Sequence, residues 1–239
     1  FEGYFKRIII AGDGGEALQL VRSHVPDIIV SDVMMPRMNG YKLCKTIKED
    51  INISHIPVIL LTARDDRQSQ ISGYKNGADG YLSKPFEVEM LMELIRNRLK
   101  NREYTKKRYL NAGLIPTPEE STISLTDETF LIKLNSIIQE NIENSNLGIQ
   151  FICQEVGLGR SSLYNKLKAL TGMGANEYIS KLRIEKAITL ISGTDMPFSE
   201  IAEKTGFTTP SYFSTAFKQY TGETPSQYKE RKKKGLAGK

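Results

Sequence analysis

Three polar residues each close an apolar run: Asp32 after IIVS, Thr62 after PVILL and Lys84 after GYLS. An acid, a hydroxyl and a cation brought side by side would make a reactive carboxylate with groups beside it to hold an anion. Each one alone is an ordinary strand-end residue. The run into Asp32 stands out because it turns at once, through Met34-Met35-Pro36 to an Asn39-Gly40 pair. A second set lies in the other half of the chain. Arg160, Ser161, Tyr164, Asn165, Lys166 and Lys168 fall close together, as do Ser211, Tyr212, Ser214, Thr215 and Lys218. Cations, hydroxyls and amides on one helix can meet phosphates and base edges.

The elements that must position the first set alternate. Arg7–Ala11 reads as a strand, Gly12–Gly15 as a turn, and 16–23 as a helix. Residues 27–31, 57–62 and 80–83 read as further strands, and 40–49, 66–76 and 87–102 as helices, the last continuing to about Tyr109. Strands apolar on both faces and separated by helices indicate a parallel sheet covered on both sides. Ligands of such sheets sit at the carboxyl ends of the strands, where Asp32, Thr62 and Lys84 fall. Pro85 keeps the chain extended after Lys84 and allows a cis bond. Asp13 reads as a turn former.

These residues resemble the response-regulator receiver domain. The likeness rests on Asp32-Val33-Met34-Met35-Pro36 with Asn39-Gly40, on PVILLTA at 57–63, on Gly77-Ala78-Asp79-Gly80-Tyr81 and on Lys84-Pro85-Phe86, and it covers residues 1–102. The resemblance implies a flavodoxin-like parallel sheet in which Asp32 accepts a phosphoryl group from a histidine kinase. It implies Mg²⁺ held by the Asp32 carboxylate and the Met34 carbonyl, Lys84 and Thr62 contacting the phosphoryl oxygens, and Tyr81 reorienting as Thr62 moves. The family's first strand ends in an acidic pair that holds Mg²⁺, and this sequence opens after that point. The expectation is therefore a sheet without its first strand, in a piece of a longer protein, with poor Mg²⁺ binding and weak phosphorylation.

Residues 103–126 change character, with a charged start followed by Gly113, Pro116 and Pro118, and read as a linker. Beyond it the chain reads as all helix. Amphipathic spacing covers 127–144. Short helices at 149–156 and 161–171 are joined by Gly157-Leu158-Gly159, a longer helix covers 175–191, and the short pair recurs at 199–205 and 209–220 around Gly206. Two helix-turn-helix units are the natural reading. Leu163, Leu167, Leu170, Ile201, Phe213 and Phe217 fall at core spacing. The polar set above remains for DNA, with Lys166, Lys168 and Lys218 toward phosphate and the others toward bases. The segment GRSSLYNKLK at 159–168 with Thr171-Gly172, then Ile201-Ala202, Gly206-Phe207, SYFS at 211–214, Phe217-Lys218, Gly222 and Thr224-Pro225-Ser226 resemble the AraC family of transcription regulators. The resemblance covers about 127–232, in a DNA-binding domain read as 127–235, and implies two recognition helices in successive major-groove segments. Residues 229–239 read as a solvated, frayed end, with loose phosphate contact as the lesser reading, and 236–239 as the tail.

Bulk numbers bound the alternatives. The chain has 239 residues and a net charge of +5, and 39% of its residues are hydrophobic. No run approaches the roughly 18 apolar residues of a membrane span, and Phe1–Lys6 does not resemble a signal peptide. Cys44 and Cys153 lie far apart, and His24 and His55 have no companions at ligand spacing, so neither a disulfide framework nor a His/Cys metal site is expected. The combined reading is a phosphorylation-controlled transcription regulator, α/β receiver first and all-α DNA-binding domain second. Its order resembles the C-terminal part of the hybrid two-component systems of Bacteroidetes. That likeness implies a kinase in the same polypeptide, cytoplasmic placement of this segment below an inner-membrane anchor, a homodimer on double-stranded DNA, and carbohydrate-utilisation target genes. Two rivals stand beside it: a piece of a stand-alone response regulator, and a phosphatase that uses Asp32 as nucleophile.

Overall fold

Ladder partners decide which apolar runs become strands. The computed structural model describes residues 4–63, 77–111 and 124–236. Its first part runs α1 (Gly14–His24), β1 (Ile29–Asp32), α2 (Gly40–Glu49), β2 (Val58–Thr62), β3 (Gly80–Ser83) and α3 (Val88–Asn111). The three strands form a parallel sheet in the order β1-β2-β3. Val58 and Leu60 of β2 face one way, into a cluster with Val21 of α1 and Leu43 and Ile47 of α2. Ile59, between them, faces the other way, onto Leu82 of β3 and Leu91 and Ile95 of α3. The period-2 alternation of a strand thus gives each face of the sheet its own helices.

The strand expected at Arg7–Ala11 does not form. The segment carries no ladder, and Ile10 is 84% exposed. Its composition suits a strand, but a strand needs neighbouring N–H and C=O groups, and β1 is an edge of the described sheet. The helix expected at 66–76 and residues 112–123 of the linker lie outside the described residues. Helix α3 continues past residue 102 to Asn111. The Lys84–Pro85 bond is cis.

By contacts the chain divides into two units, the first built on Phe1–Tyr109 and the second on Leu131–Lys168 and Gly172–Lys239. The described chain beyond residue 124 is all helix: α4 (Leu125–Glu140), α5 (Ile149–Val156), α6 (Arg160–Thr171), α7 (Ala175–Gly193), α8 (Phe198–Lys204), α9 (Pro210–Thr221) and α10 (Pro225–Leu236). Helix α4 ends four residues short of the expected Asn144. The chain continues in tighter i→i+3 turns, which keep Ile142 buried.

The two short pairs close alike. After α5, the amide of Leu158 donates to the Cys153 carbonyl and that of Gly157 to Gln154. After α8, Phe207 donates to Ala202 and Gly206 to Glu203. Both are Schellman ends, which place Gly157 (φ 74°) and Gly206 (φ 71°) in the left-handed region. Around the second pair, Ile184, Ala187 and Ile191 of α7, Ile201 of α8 and Phe213 and Phe217 of α9 form one core. Tyr228 of α10 completes it, so residues 225–236 are a seated helix and not the frayed end expected from their charge.

A Cβ at Gly206 would come 2.2 Å from the Ile142 carbonyl oxygen, whereas one at Gly157 meets open space. Gly157→Ala should therefore cost about 1 kcal/mol for its left-handed backbone alone, and Gly206→Ala about 3 kcal/mol or more. Urea unfolding followed by circular dichroism measures the difference; equal losses would contradict the close approach.

Candidate phosphoryl site and nucleic-acid interface

Strand register brings the first set together. Asp32 pairs with Leu61, and Thr62, one residue on, pairs with Ser83. The Lys84 amide donates to the Thr62 carbonyl at 2.6 Å, which carries the ladder one residue past β3. From there the Lys84 ammonium reaches across and donates to Asp32 Oδ2. Asp32 Oδ1 accepts from the Met34 amide at 3.0 Å. Thr62 is buried at 3% exposure. The Tyr81 hydroxyl lies 3.4 Å from that of Tyr41 on α2, a partner the sequence reading did not name. Met34 is largely exposed.

The turn behind Asp32 is held by short contacts. The Gly40 amide donates to the Val33 carbonyl at 3.0 Å, and a Cβ at Gly40 would come 2.3 Å from the Asp32 carbonyl. Asn39 Oδ1 caps α2 by accepting from the Lys42 amide. The Asn39-Gly40 pair therefore supplies a helix cap and then the one residue small enough to pass the strand end. Asp13, read as a turn former, is the N-cap of α1: its Oδ1 accepts from the amides of Gly15 and Glu16. Its other oxygen pairs with Arg37, which lies in the loop after Asp32.

Partial burial pushes the Asp32 carboxyl up, but the Lys84 hydrogen bond and charge and the amides of Met34 and Val33 together outweigh it, so its pKa falls below the usual aspartate value. Mg²⁺ takes oxygen ligands, usually one or two carboxylates with substrate phosphate. Among the described residues no group of three His, Cys, Asp or Glu side chains converges. Both oxygens of Asp32 are already engaged, one by an ammonium. Asp32 and the Met34 carbonyl do not by themselves fit a Mg²⁺ site.

In the helical unit, Arg160, Ser161, Tyr164 and Lys168 form an exposed stripe on α6, with Asn165 half-buried beside it. On α9, Ser211, Tyr212, Thr215 and Lys218 are exposed and Ser214 is half-buried. Thr209 caps α9, accepting from the Tyr212 amide at 3.2 Å, and Pro210 opens it. The Tyr212 ring leans on Phe207 with centroids 5.7 Å apart. Lys166 departs from its expected place. It is 0% exposed, because its position on α6 turns inward beside Leu163 and Leu167, and it cannot reach a phosphate. Among the described residues no helix is long and apolar enough to cross a membrane.

The response regulator receiver domain family matches residues 2–96, and a helix-turn-helix domain family matches 152–231. Histidine kinase P4 of Formosa agariphila is 42% identical over 224 residues, 94% of this chain but only 16% of that protein's length. A probable transcriptional regulator of Pyropia yezoensis, ycf29, is 30% identical over 181 residues, which cover 82% of its length. The chain belongs to the response regulators. A solved transcriptional regulator with an AraC-type DNA-binding domain, from Chromobacterium violaceum, is 25% identical with a TM-score of 0.42 and covers 44% of this chain and 93% of that one. The regulator joins a receiver to an AraC-type helix-turn-helix domain, the make-up of a two-component transcription factor. A receiver implies a histidine kinase as partner, and the helix-turn-helix domain implies DNA.

Replacing Lys84 removes the ammonium and leaves burial. Lys84→Ala should therefore raise the Asp32 pKa, as read by an NMR pH titration of the carboxyl carbon. In the wild type this depressed carboxyl stabilises the fold above the unfolded-state pKa, and that contribution is lost as pH falls through the folded value. The variant should lose this part of its acid dependence. An unmoved Asp32 titration would contradict the balance of causes given above.

Proposed function

We propose that this chain is the DNA-binding output of a phosphorelay, switched by phosphorylation of Asp32. The observation that carries the reading is the Lys84 ammonium on the Asp32 carboxylate, beside Thr62, at the carboxyl ends of three parallel strands. In the transfer, an Asp32 carboxylate oxygen attacks phosphorus, the N–P bond of a phosphohistidine breaks, and the imidazole leaves with the electron pair. Lys84, already at that oxygen, passes to a phosphoryl oxygen as a point charge. Thr62 closes on another, and Tyr81 follows it, exchanging its place beside Tyr41. The resulting two-state face shifts homodimer formation, and so affinity for paired sites on double-stranded DNA.

The kinase belongs to the same polypeptide in this reading, supported by the similarity to a much longer histidine kinase. Carbohydrate-utilisation genes as targets rest on the hybrid-system resemblance alone. The working division is receiver 1–102, linker 103–126 and DNA-binding domain 127–235. Arg160, Ser161, Tyr164 and Asn165 on α6, and Ser211, Tyr212, Ser214 and Thr215 on α9, are the proposed base-facing set, with Lys168 and Lys218 on phosphate.

Asp32→Asn should abolish labelling by a phosphorylated kinase core, and label retained on that variant would overturn the assignment. With a small phosphodonor, the 239 residues alone should label far below one phosphoryl per chain, since Asp32 and Met34 make no adequate Mg²⁺ site; stoichiometric labelling would refute this. On DNA, Asn165→Ala should relax sequence preference by about 1–3 kcal/mol at one base pair. Lys218→Ala should weaken binding to all sequences alike and reduce the salt slope by about 0.9. Selection from a random-sequence pool, followed by salt titration, reads both.

A further inference from the structure

The last helix carries more positive charge than either recognition helix. Residues 127–224 hold 9 basic and 11 acidic residues, whereas Pro225–Leu236 alone holds 5 basic and 1 acidic. Of the nine, Lys166 and Lys181 are buried. Sequence-independent affinity for DNA comes almost wholly from cations on phosphates. A DNA-binding unit that is net negative through residue 224 needs cations beyond it to add to Lys168 and Lys218.

Helix α10 is placed to take it. Tyr228 seats it on α9, with its ring 5.6 Å from that of Phe217. Phe217 lies on the buried side of α9, whose other side presents Ser211, Tyr212, Thr215 and Lys218. Three of the five cations face a carboxylate: Arg231 lies 2.7 Å from Glu223, Lys229 lies 3.2 Å from Asp195, and Lys233 shares Asp195 at longer range. Lys232, Lys233 and Lys234 are exposed. Lys233 comes only within 3.9 Å of Asp195, and among the described residues Lys232 and Lys234 pair with no carboxylate.

We infer that Lys232, Lys233 and Lys234 form a phosphate-gripping cluster that holds the DNA backbone next to the segment met by α9. The inference rests on the DNA reading above and adds the source of its non-specific affinity. The three lysines sit on a packed helix and leave it in directions roughly 100° apart, so their stems start from a fixed backbone and less chain entropy is lost on binding than from a frayed end.

The test uses the whole chain and a mixed-sequence duplex, with affinity read by fluorescence anisotropy across a NaCl series. K232Q/K233Q/K234Q should reduce the slope of log affinity against log salt by about 2 to 3 and weaken binding about tenfold or more at low salt. K232R/K233R/K234R should keep both, and circular dichroism should show both variants folded. A slope unchanged by the glutamine variant, while R160A/K168A weakens binding, would overturn the inference and leave the DNA reading standing. A slope unchanged on DNA with binding to anionic vesicles lost instead would assign the cluster to lipid and also overturn it. Wild-type protein that binds no duplex at any salt would overturn the DNA reading itself.

Discussion

Strand β2 hydrogen-bonds to β1 on one side and β3 on the other, and both neighbours run parallel to it. Parallel pairing has one consequence that antiparallel pairing lacks: all three carboxyl ends lie at the same edge. Asp32 ends β1, Thr62 ends β2, and Lys84 follows β3, so three residues spread over 52 positions become neighbours. The Lys84–Asp32 contact depends on that register. A slip of one residue would turn Thr62 and its strand-mates to the other face, and would separate Val58 and Leu60 from α1 and α2. The site is thus as stable as the core beneath it.

The helical unit relies on a different constraint, the left-handed residue that ends each first helix. Gly157 and Gly206 set the angle at which α6 and α9 leave their turns. At Gly206 the chain also passes against the Ile142 carbonyl, which ties the second turn to the end of α4. Aromatic packing then runs from Tyr212 through Phe207, Phe213 and Phe217 to Tyr228, each ring within 5.7 Å of the next. The exposed polar stripe of α9 and the exposed lysines of α10 lie on helices that share this one aromatic core. Charge and shape are divided between them.

The elements read from sequence were those whose pattern states its own partner. PVILLT and GYLS became strands because apolar residues on both faces demand cover on both faces. Helices α2 and α5 begin and end where their patterns place them, since Asn39 and Gly157 act locally as caps. Arg7–Ala11 failed because its pattern is right and its ladder is missing. Lys166 failed for a related reason. A lysine in a basic run on a helix looks exposed, but three steps of 100° around α6 bring it to within roughly 60° of Leu163, on the edge of the buried face. Residues 229–234 looked frayed because five cations hide one tyrosine, and Tyr228 is what seats the helix.

The sequence by itself determined the order of the elements, the two-unit plan, the identity of Asp32, Thr62 and Lys84 as strand-end residues, and the polar set of the two second helices. These follow from short-range rules: periodicity, turn residues and caps. Only the tertiary structure decided that Lys84 reaches Asp32, that Asp13 caps α1 while holding Arg37, that Tyr81 sits against Tyr41, that Lys166 is inside, and that α10 is a docked helix with three exposed lysines. Each of these depends on where a side chain ends up relative to residues far away in the chain. Burial and pairing are properties of that arrangement, and a single segment does not encode them.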